Sequence, residues 1–355
     1  MNMGICVSLI YRDMKKTTRN ILFGIGGAAV VVLLTGLWAW NALFSSPFDI
    51  TETTYIYIRP MDTEDDVRQL LKTEAKARSL AGWNVVRWLT DFQPRTGRYA
   101  VEPGDAVLTV YRRLKNGHQA PVRFTLPSVR RLEKLAGVMA QKLMLDSADV
   151  AFAFSDSIFA KNYGYSVATL PALFIPNTYE FYWNTSLEAF MERMVRENET
   201  FWNGEGRNEA AKRMGLSHEE VITLASIVDE ETANNGEKPR VAGMYLNRIQ
   251  EGMPLQADPT VKFALKNDTL RRIRMVHLHT QSPYNTYINI GLPPGPIRIP
   301  SVAGIDAVLH HEHHNYLYMC AKEDFSGTHN FAHTYADHLK NARRYQQALN
   351  QRGIK

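Results

Sequence analysis

The sequence predicts an α+β protein in three parts: an apolar N-terminal helix, a small β/α stalk and a larger mixed α+β domain. Three observations predict it. From Ile21 to Leu43 there is no charged residue, and roughly 20 apolar residues suffice to cross a bilayer as a helix. Beyond that run, a β-branched and aromatic stretch followed by a helix occurs twice, near residues 53–71 and 122–145. Further on, two helix patterns at 217–232 and 239–252 lead into a Pro- and Gly-rich loop at 291–297. The expected boundaries are 1–20 for an N-terminal tail, 21–43 for the apolar helix, 50–165 for the stalk and 166–355 for the larger domain. A chain of 355 residues is long enough for two domains or more, and 45% hydrophobic with 22% charged residues is ordinary for a folded core.

The apolar run reads as an uncleaved anchor. A signal peptide has a shorter apolar core and leaves through small residues, whereas this run leaves through Trp38, Trp40, Leu43 and Phe44, as an interfacial aromatic belt would. Arg12, Lys15, Lys16 and Arg19 precede it, while Asp49 and Glu52 follow. The positive-inside bias therefore predicts a single-pass inner-membrane protein with a cytoplasmic N-terminus and the rest outside the membrane. That location excludes ATP-driven chemistry and favours wall, envelope or secreted substrates.

Net charge is +5, with no long Lys/Arg run outside the N-terminus, so no nucleic-acid partner is expected. Cys6 and Cys320 fall on opposite sides of the span, which leaves no disulfide framework and no cysteine zinc spacing.

Within the stalk, residues 53–59 read as a strand ended by Pro60, and Asp62 or Thr63 caps a helix through Leu71. Gly97–Tyr99 reads as a strand and Val107–Tyr111 as a strand or helix. Val122–Leu126 is a further strand, and Pro127-Ser128 is expected to open a helix to about Leu145. The repeated strand–helix unit resembles LysM-like glycan-binding modules.

The helix after Leu216 has a capping box, Ser217 with Glu220, and a hydrophobic staple between Leu216 and Val221. At about 100° per residue, Val221, Leu224, Ala225 and Val228 form one apolar stripe. Thr223, Ser226 and Glu230 fall on the opposite side, with Asp229 at a border. Glu231 alone projects inward, between Leu224 and Ile227. Two of three consecutive acids are thus expected at solvent or the rim. The third would lose hydration, keep its proton near neutral pH and be fit to serve as a general acid. An end-of-helix Glu paired with a buried Arg or a backbone amide would fit the same wheel.

A second helix follows, with Pro239 in its first turn and Val241, Met244, Tyr245 and Ile249 on its apolar face. Then come Leu255-Gln256-Ala257-Asp258-Pro259-Thr260-Val261, Tyr284-Asn285-Thr286-Tyr287 and Gly291-Leu292-Pro293-Pro294-Gly295-Pro296-Ile297. Shaped loops carrying amide, hydroxyl and aromatic groups are how carbohydrate sites are usually lined.

These segments, with Leu224–Thr232, Tyr245-Leu246-Asn247-Arg248, Pro176-Asn177-Thr178-Tyr179 and His329-Asn330-Phe331, resemble the endolytic murein transglycosylases, the MltG or YceG-like family. Order and spacing agree over about 174–338. Where the family has Glu-x-Glu-Thr, this chain has Asp229-Glu230-Glu231-Thr232, so the family's catalytic glutamate maps onto Glu231. The resemblance implies a lyase that cuts the β-1,4 bond between N-acetylmuramic acid and N-acetylglucosamine in nascent strands, closes a 1,6-anhydro ring and so terminates elongation. It needs no cofactor. Peptidoglycan strands are the implied substrate, and wall synthases of elongation or division the expected company. Tyr179, Asn247, Gln256, Asp258, Thr260, Tyr284, Asn285, Tyr287 and His329 are the expected substrate contacts, and Phe181, Tyr182 and Trp183 are either sugar-stacking or core. Two other readings stand: a hydrolytic muramidase with Asp258 or Glu180 as second carboxylate, and a non-catalytic wall-binding scaffold.

His310-His311-Glu312-His313-His314 has no His-Glu-x-x-His order and sits at a helix–strand junction, so no metal is expected there. Gly-x-Ser-x-Gly is absent, which argues against a serine nucleophile.

Overall fold

The apolar run lies within one continuous helix, α1 (Met3–Phe44). Its segment Asn20–Phe44, 25 residues of mean hydropathy 2.2, is the one helix among the described residues long and apolar enough to cross a membrane. Its apolar side chains, Leu22, Phe23, Val32 and Trp40 among them, are exposed. The computed structural model describes residues 3–267, 270 and 273–353. The side chains of residues 3–19, among them Cys6, Arg12, Lys15, Lys16 and Arg19, lie outside the described set.

The chain divides into two compact units: one runs to Pro121 and takes in Tyr182–Asn184, and the other comprises Val122–Phe181 and Thr185 onward. In the first unit, β1 (Thr54–Ile58), α2 (Glu64–Thr73), α3 (Ala81–Leu89), β2 (Gly97–Val101) and α4 (Val107–Asn116) follow α1. β1 and β2 pair antiparallel, with Ile56 opposite Tyr99. Alternation along β1 turns Ile56 and Ile58 into a core with Val67, Leu71, Trp83, Tyr99, Tyr111 and Leu114. Thr63 and Asp66 form a capping box that starts α2. Val107–Tyr111, open between strand and helix from sequence, is helical because Val107, Val110, Tyr111 and Leu114 recur at helical spacing on the buried face.

The second unit begins with β3 (Val122–Thr125), α5 (Leu132–Lys142), α6 (Ser147–Ser155) and α7 (Ser157–Asn162). A short 3₁₀ turn (Leu170–Leu173), β4 (Thr178–Phe181), α8 (Leu187–Asn203) and α9 (Arg207–Met214) come next. Then follow α10 (His218–Glu231), α11 (Lys238–Gln250), α12 (Asp258–Ala264), α13 (Met275–Leu278) and α14 (Val302–Leu309). The hairpin β5 (Tyr318–Ala321) and β6 (His329–Ala332) and the final helix α15 (Tyr335–Gln351) complete it.

The break between units falls before Val122, not after residue 165. β3 pairs with β4, Phe124 opposite Tyr179, and α5 to α7 share a core with Leu173, Phe174, Tyr179, Phe181 and Phe190. The strand–helix pattern at 122–145 therefore belongs to the larger unit and is no second copy of the first. Its helix also starts later than Pro127-Ser128 predicts. Residues 127–131 stay non-helical, because Ile299 N–H donates to Val129 O at 2.8 Å and Ser128 Oγ donates to Ile299 O.

α10 is the central helix of the larger unit. Every residue from Val221 to Val228 is buried. The side expected to be polar is covered as well: Ser226 Oγ donates to Thr223 O and accepts from Ile297 N–H at 3.0 Å, which fixes the Pro/Gly loop against the helix. Gly295 in that loop is obligatory, since a Cβ there would lie 2.1 Å from Ala168 O.

Candidate active site

The three acids at the end of α10 have three different fates. Asp229 is not at a rim. Its side chain is 4% exposed, 2.7 Å from Lys238 Nζ, and it accepts from Ser301 N–H and Oγ. Glu230, expected toward solvent, is 6% exposed and held by Arg130 and Arg298. The wheel could not show this, because these bases come from segments about 70 to 100 residues away in sequence. Glu231 has no arginine or lysine within ion-pair distance among the described residues; its bonded partner is Tyr245, whose hydroxyl donates to Oε1 at 2.9 Å.

Glu231 opens into a cleft of about 340 Å³, whose walls also include Tyr245, Arg248, Gln256, Asp258, Tyr287, His329 and His338. Burial pushes its carboxyl up to about 7. The Tyr245 hydrogen bond pulls the other way, Asp258's negative charge adds to the rise, and His329 and Lys262 lower it. The group is thus a carboxylic acid that holds its proton near neutrality and can release it within a small change of environment.

Four of the nine expected contact residues line this cleft: Gln256, Asp258, Tyr287 and His329. Asp258 opens α12 and accepts from the Tyr287 hydroxyl at 2.6 Å. Gln256 sits at φ 52°, a left-handed conformation rare outside glycine. It is held there by its N–H to Thr286 O at 3.0 Å.

The other five are placed elsewhere. Tyr179 is buried and donates its hydroxyl to Ile175 O at 2.6 Å, so it is core. Thr260 is fully buried, sharing a hydrogen bond with Thr286. Asn285 is fully buried, donating to Leu278 O and Thr280 O. Asn247 donates to His314 O and Tyr316 O. Tyr284 packs on Phe263 in a different, apolar pocket. These residues shape the loops that carry the cleft; they do not line it. Phe181 is likewise core, Tyr182 is exposed, and Trp183 packs edge-on against Tyr57. Glu180 lies on the exposed side of β4, outside the cleft.

Sequence reasoning missed the roles of Tyr245 and Arg248. Tyr245 reads as one apolar member of a helical face, yet its ring packs in the core while its hydroxyl reaches Glu231. Arg248, 6% exposed, donates to Leu317 O, Pro254 O and Leu255 O and so ties the hairpin to the loop before α12. In the histidine run, His310 and His311 lie at backbone carbonyls of α14, and His314 bridges Arg240 O and Tyr316 N–H.

A model of the YceG-like family matches residues 56–344. The chain belongs to this family. Its YceG-like match spans both units and includes every residue of the cleft. An endolytic murein transglycosylase of Bacillus subtilis (strain 168) is 32% identical over 199 residues, 56% of this chain and 53% of that protein. One of Streptococcus pneumoniae serotype 2 (strain D39 / NCTC 7466) is 28% identical over 176 residues, 48% of this chain and 31% of that protein. The chain thus spans about half or less of these YceG-like relatives. The crystal structure of a yceG-like protein from Listeria monocytogenes aligns with a TM-score of 0.54 at 24% identity, covering 82% of this chain and 99% of that one, which shows a shared fold.

Proposed function

We propose that this protein is an endolytic peptidoglycan lytic transglycosylase with Glu231 as its acid and base. The observation that carries this is the partly buried Glu231 carboxyl, which lines a polar cleft with the Tyr245 hydroxyl as its bonded partner and is pushed up to about 7 by loss of hydration. Protonated, it donates to the glycosidic oxygen between N-acetylmuramic acid and N-acetylglucosamine as that C1–O bond breaks. The C6 hydroxyl of the same muramic residue attacks C1, and the carboxylate takes its proton. An intramolecular nucleophile has a high effective concentration, so one carboxylate can serve both steps. The names borne by the relatives support the same reaction.

The exposed apolar face of Asn20–Phe44 supports a single-pass anchor, and charge bias supports an extracytoplasmic catalytic unit. The reaction would then fall on strands near the inner membrane, beside the synthases that make them. The strand–helix–helix–strand order of the first unit supports a LysM-like stalk.

The test is mass spectrometry of glycan strands digested by the parent and by Glu231→Gln. The parent should release 1,6-anhydro-muramic ends, and the variant should lose a factor on the order of 10²–10⁴ while staying folded. Equal release by the variant overturns the assignment. A second reading, a hydrolytic muramidase, rests on Asp258 sharing the cleft; it predicts free reducing ends.

A further inference from the structure

Glu237 stands immediately before α11, with a side chain only 6% exposed. Its two oxygens hold two N–H groups of one residue. Oε1 accepts from the backbone N–H of His329 at 2.7 Å, and Oε2 lies 2.9 Å from His329 Nδ1. Glu237 is not part of the cleft wall, but His329 is. An ionised carboxylate only accepts hydrogen bonds, so Nδ1 carries the proton in this arrangement. The nitrogen that remains for the cleft is Nε2. A partner on one ring nitrogen sets what the other can offer.

We propose that Glu237 is a positioning residue: in the neutral form of the His329 ring it locks the proton onto Nδ1, so that Nε2 of that form offers a sugar hydroxyl a hydrogen-bond acceptor beside Glu231. This rests on the peptidoglycan reading above and adds to it a specific contact. Tyr245 and Tyr287 already direct their hydroxyl protons to Glu231 and Asp258. Arg248 spends its donors on backbone carbonyls of the surrounding loops. A histidine locked as an acceptor complements these groups against a hydroxyl-rich ligand.

Glu237→Gln tests this at constant size. The backbone N–H of His329 cannot give up its proton, so the single amide oxygen must turn to it. The amide NH₂ then faces Nδ1, which has to become an acceptor, and the ring proton moves to Nε2. The opposite amide orientation sets two donors face to face. The substitution therefore inverts the polarity that His329 shows to the cleft.

The experiment uses the full chain in detergent with ¹⁵N-labelled histidine, read by long-range ¹H–¹⁵N correlation at alkaline pH and assigned by loss of the His329 signals in His329→Ala. The parent should show the Nδ1–H tautomer and Glu237→Gln the Nε2–H tautomer. In parallel, kcat/KM for release of anhydro ends should fall on the order of tenfold to a hundredfold in Glu237→Gln, as for one well-placed hydrogen bond turned repulsive. It should not fall further when Glu237→Gln is added to His329→Ala. His329→Gln, which can still present an acceptor near the Nε2 position, should retain more activity than His329→Ala, and this pair carries the test if Glu237→Gln does not fold. An unchanged tautomer in Glu237→Gln overturns the positioning role, and an inverted tautomer with unchanged kcat/KM overturns the substrate contact. A parent that releases no anhydro ends overturns the transglycosylase reading itself, and the tautomer measurement distinguishes that failure from a failure of Glu237.

Discussion

If Glu231 is the acid and base proposed above, its proton sets how activity and stability vary with pH. With the carboxyl at about 7, the protonated fraction of the free enzyme falls as pH rises through that value. The expected kcat/KM therefore declines above about 7, by about tenfold per pH unit once well past it. Tyr245→Phe removes the hydroxyl that stabilises the carboxylate. The alkaline limb should then move to higher pH, and a limb that stays or moves down would show that Tyr245 does not act on Glu231. The same shift has a stability consequence of opposite use. The folded state holds a proton between the ordinary value of 4.5 and about 7 that the unfolded state has lost. Stability from this group is thus fully present below 4.5 and is lost as pH rises through about 7. Glu231→Gln should equal the parent in thermal stability at pH 4 and exceed it at pH 8, by on the order of 3 kcal/mol. Of the chemistry at this scale, the inward carboxylate was legible from the wheel. Tyr245 was not, since periodicity registers its ring and is blind to where a hydroxyl ends.

Among elements, α10 shows most clearly what periodicity can and cannot say. Its start was legible to the residue, because Ser217 and Glu220 form a local capping box that needs no tertiary partner. Its environment was not. Thr223, Ser226, Asp229 and Glu230 look like a solvated face until loops carrying Arg130, Arg298, Ile297 and Ser301 close over them. A buried pair is costly to break from one side because a charge is left without its partner. Asp229→Asn strands Lys238, 7% exposed, and should lower unfolding stability by about 3–5 kcal/mol. Adding Lys238→Met should restore a large part of that loss. Denaturant titration of the single and double variants measures both, and a single variant within ~0.5 kcal/mol of the parent would mean the pair is effectively hydrated. The misplaced start of α5 has a related origin. Pro127-Ser128 is a valid local opening, but Ile299 recruits that stretch as extended chain.

For the whole molecule, the sequence carried the order of parts better than their borders. The apolar helix was plain from composition, whereas the border at 121/122 depends on β3 pairing with β4 more than fifty residues later, a contact no local pattern records. The proposed anchor raises the final prediction. If its function is only to hold the proposed transglycosylase at the membrane, removing it should leave chemistry intact and abolish the cellular effect. The cut must respect packing: Ala42 O abuts Gly82 on α3, and Leu43 packs on the core of the first unit, whereas Trp38 and Trp40 are exposed. Deleting residues 1–40 therefore spares the packing of Ala42 and Leu43, while a cut after Phe44 would remove part of a core. The shortened protein should be soluble without detergent and release anhydro ends from purified strands at the parent's rate, measured by mass spectrometry. Directed to the same compartment by a cleavable leader, it should fail to restore normal strand length in cells lacking the full chain. Complete restoration by the soluble form would mean that the wall is reached equally well without the anchor, and that the helix serves some purpose other than restricting cleavage to strands at the membrane.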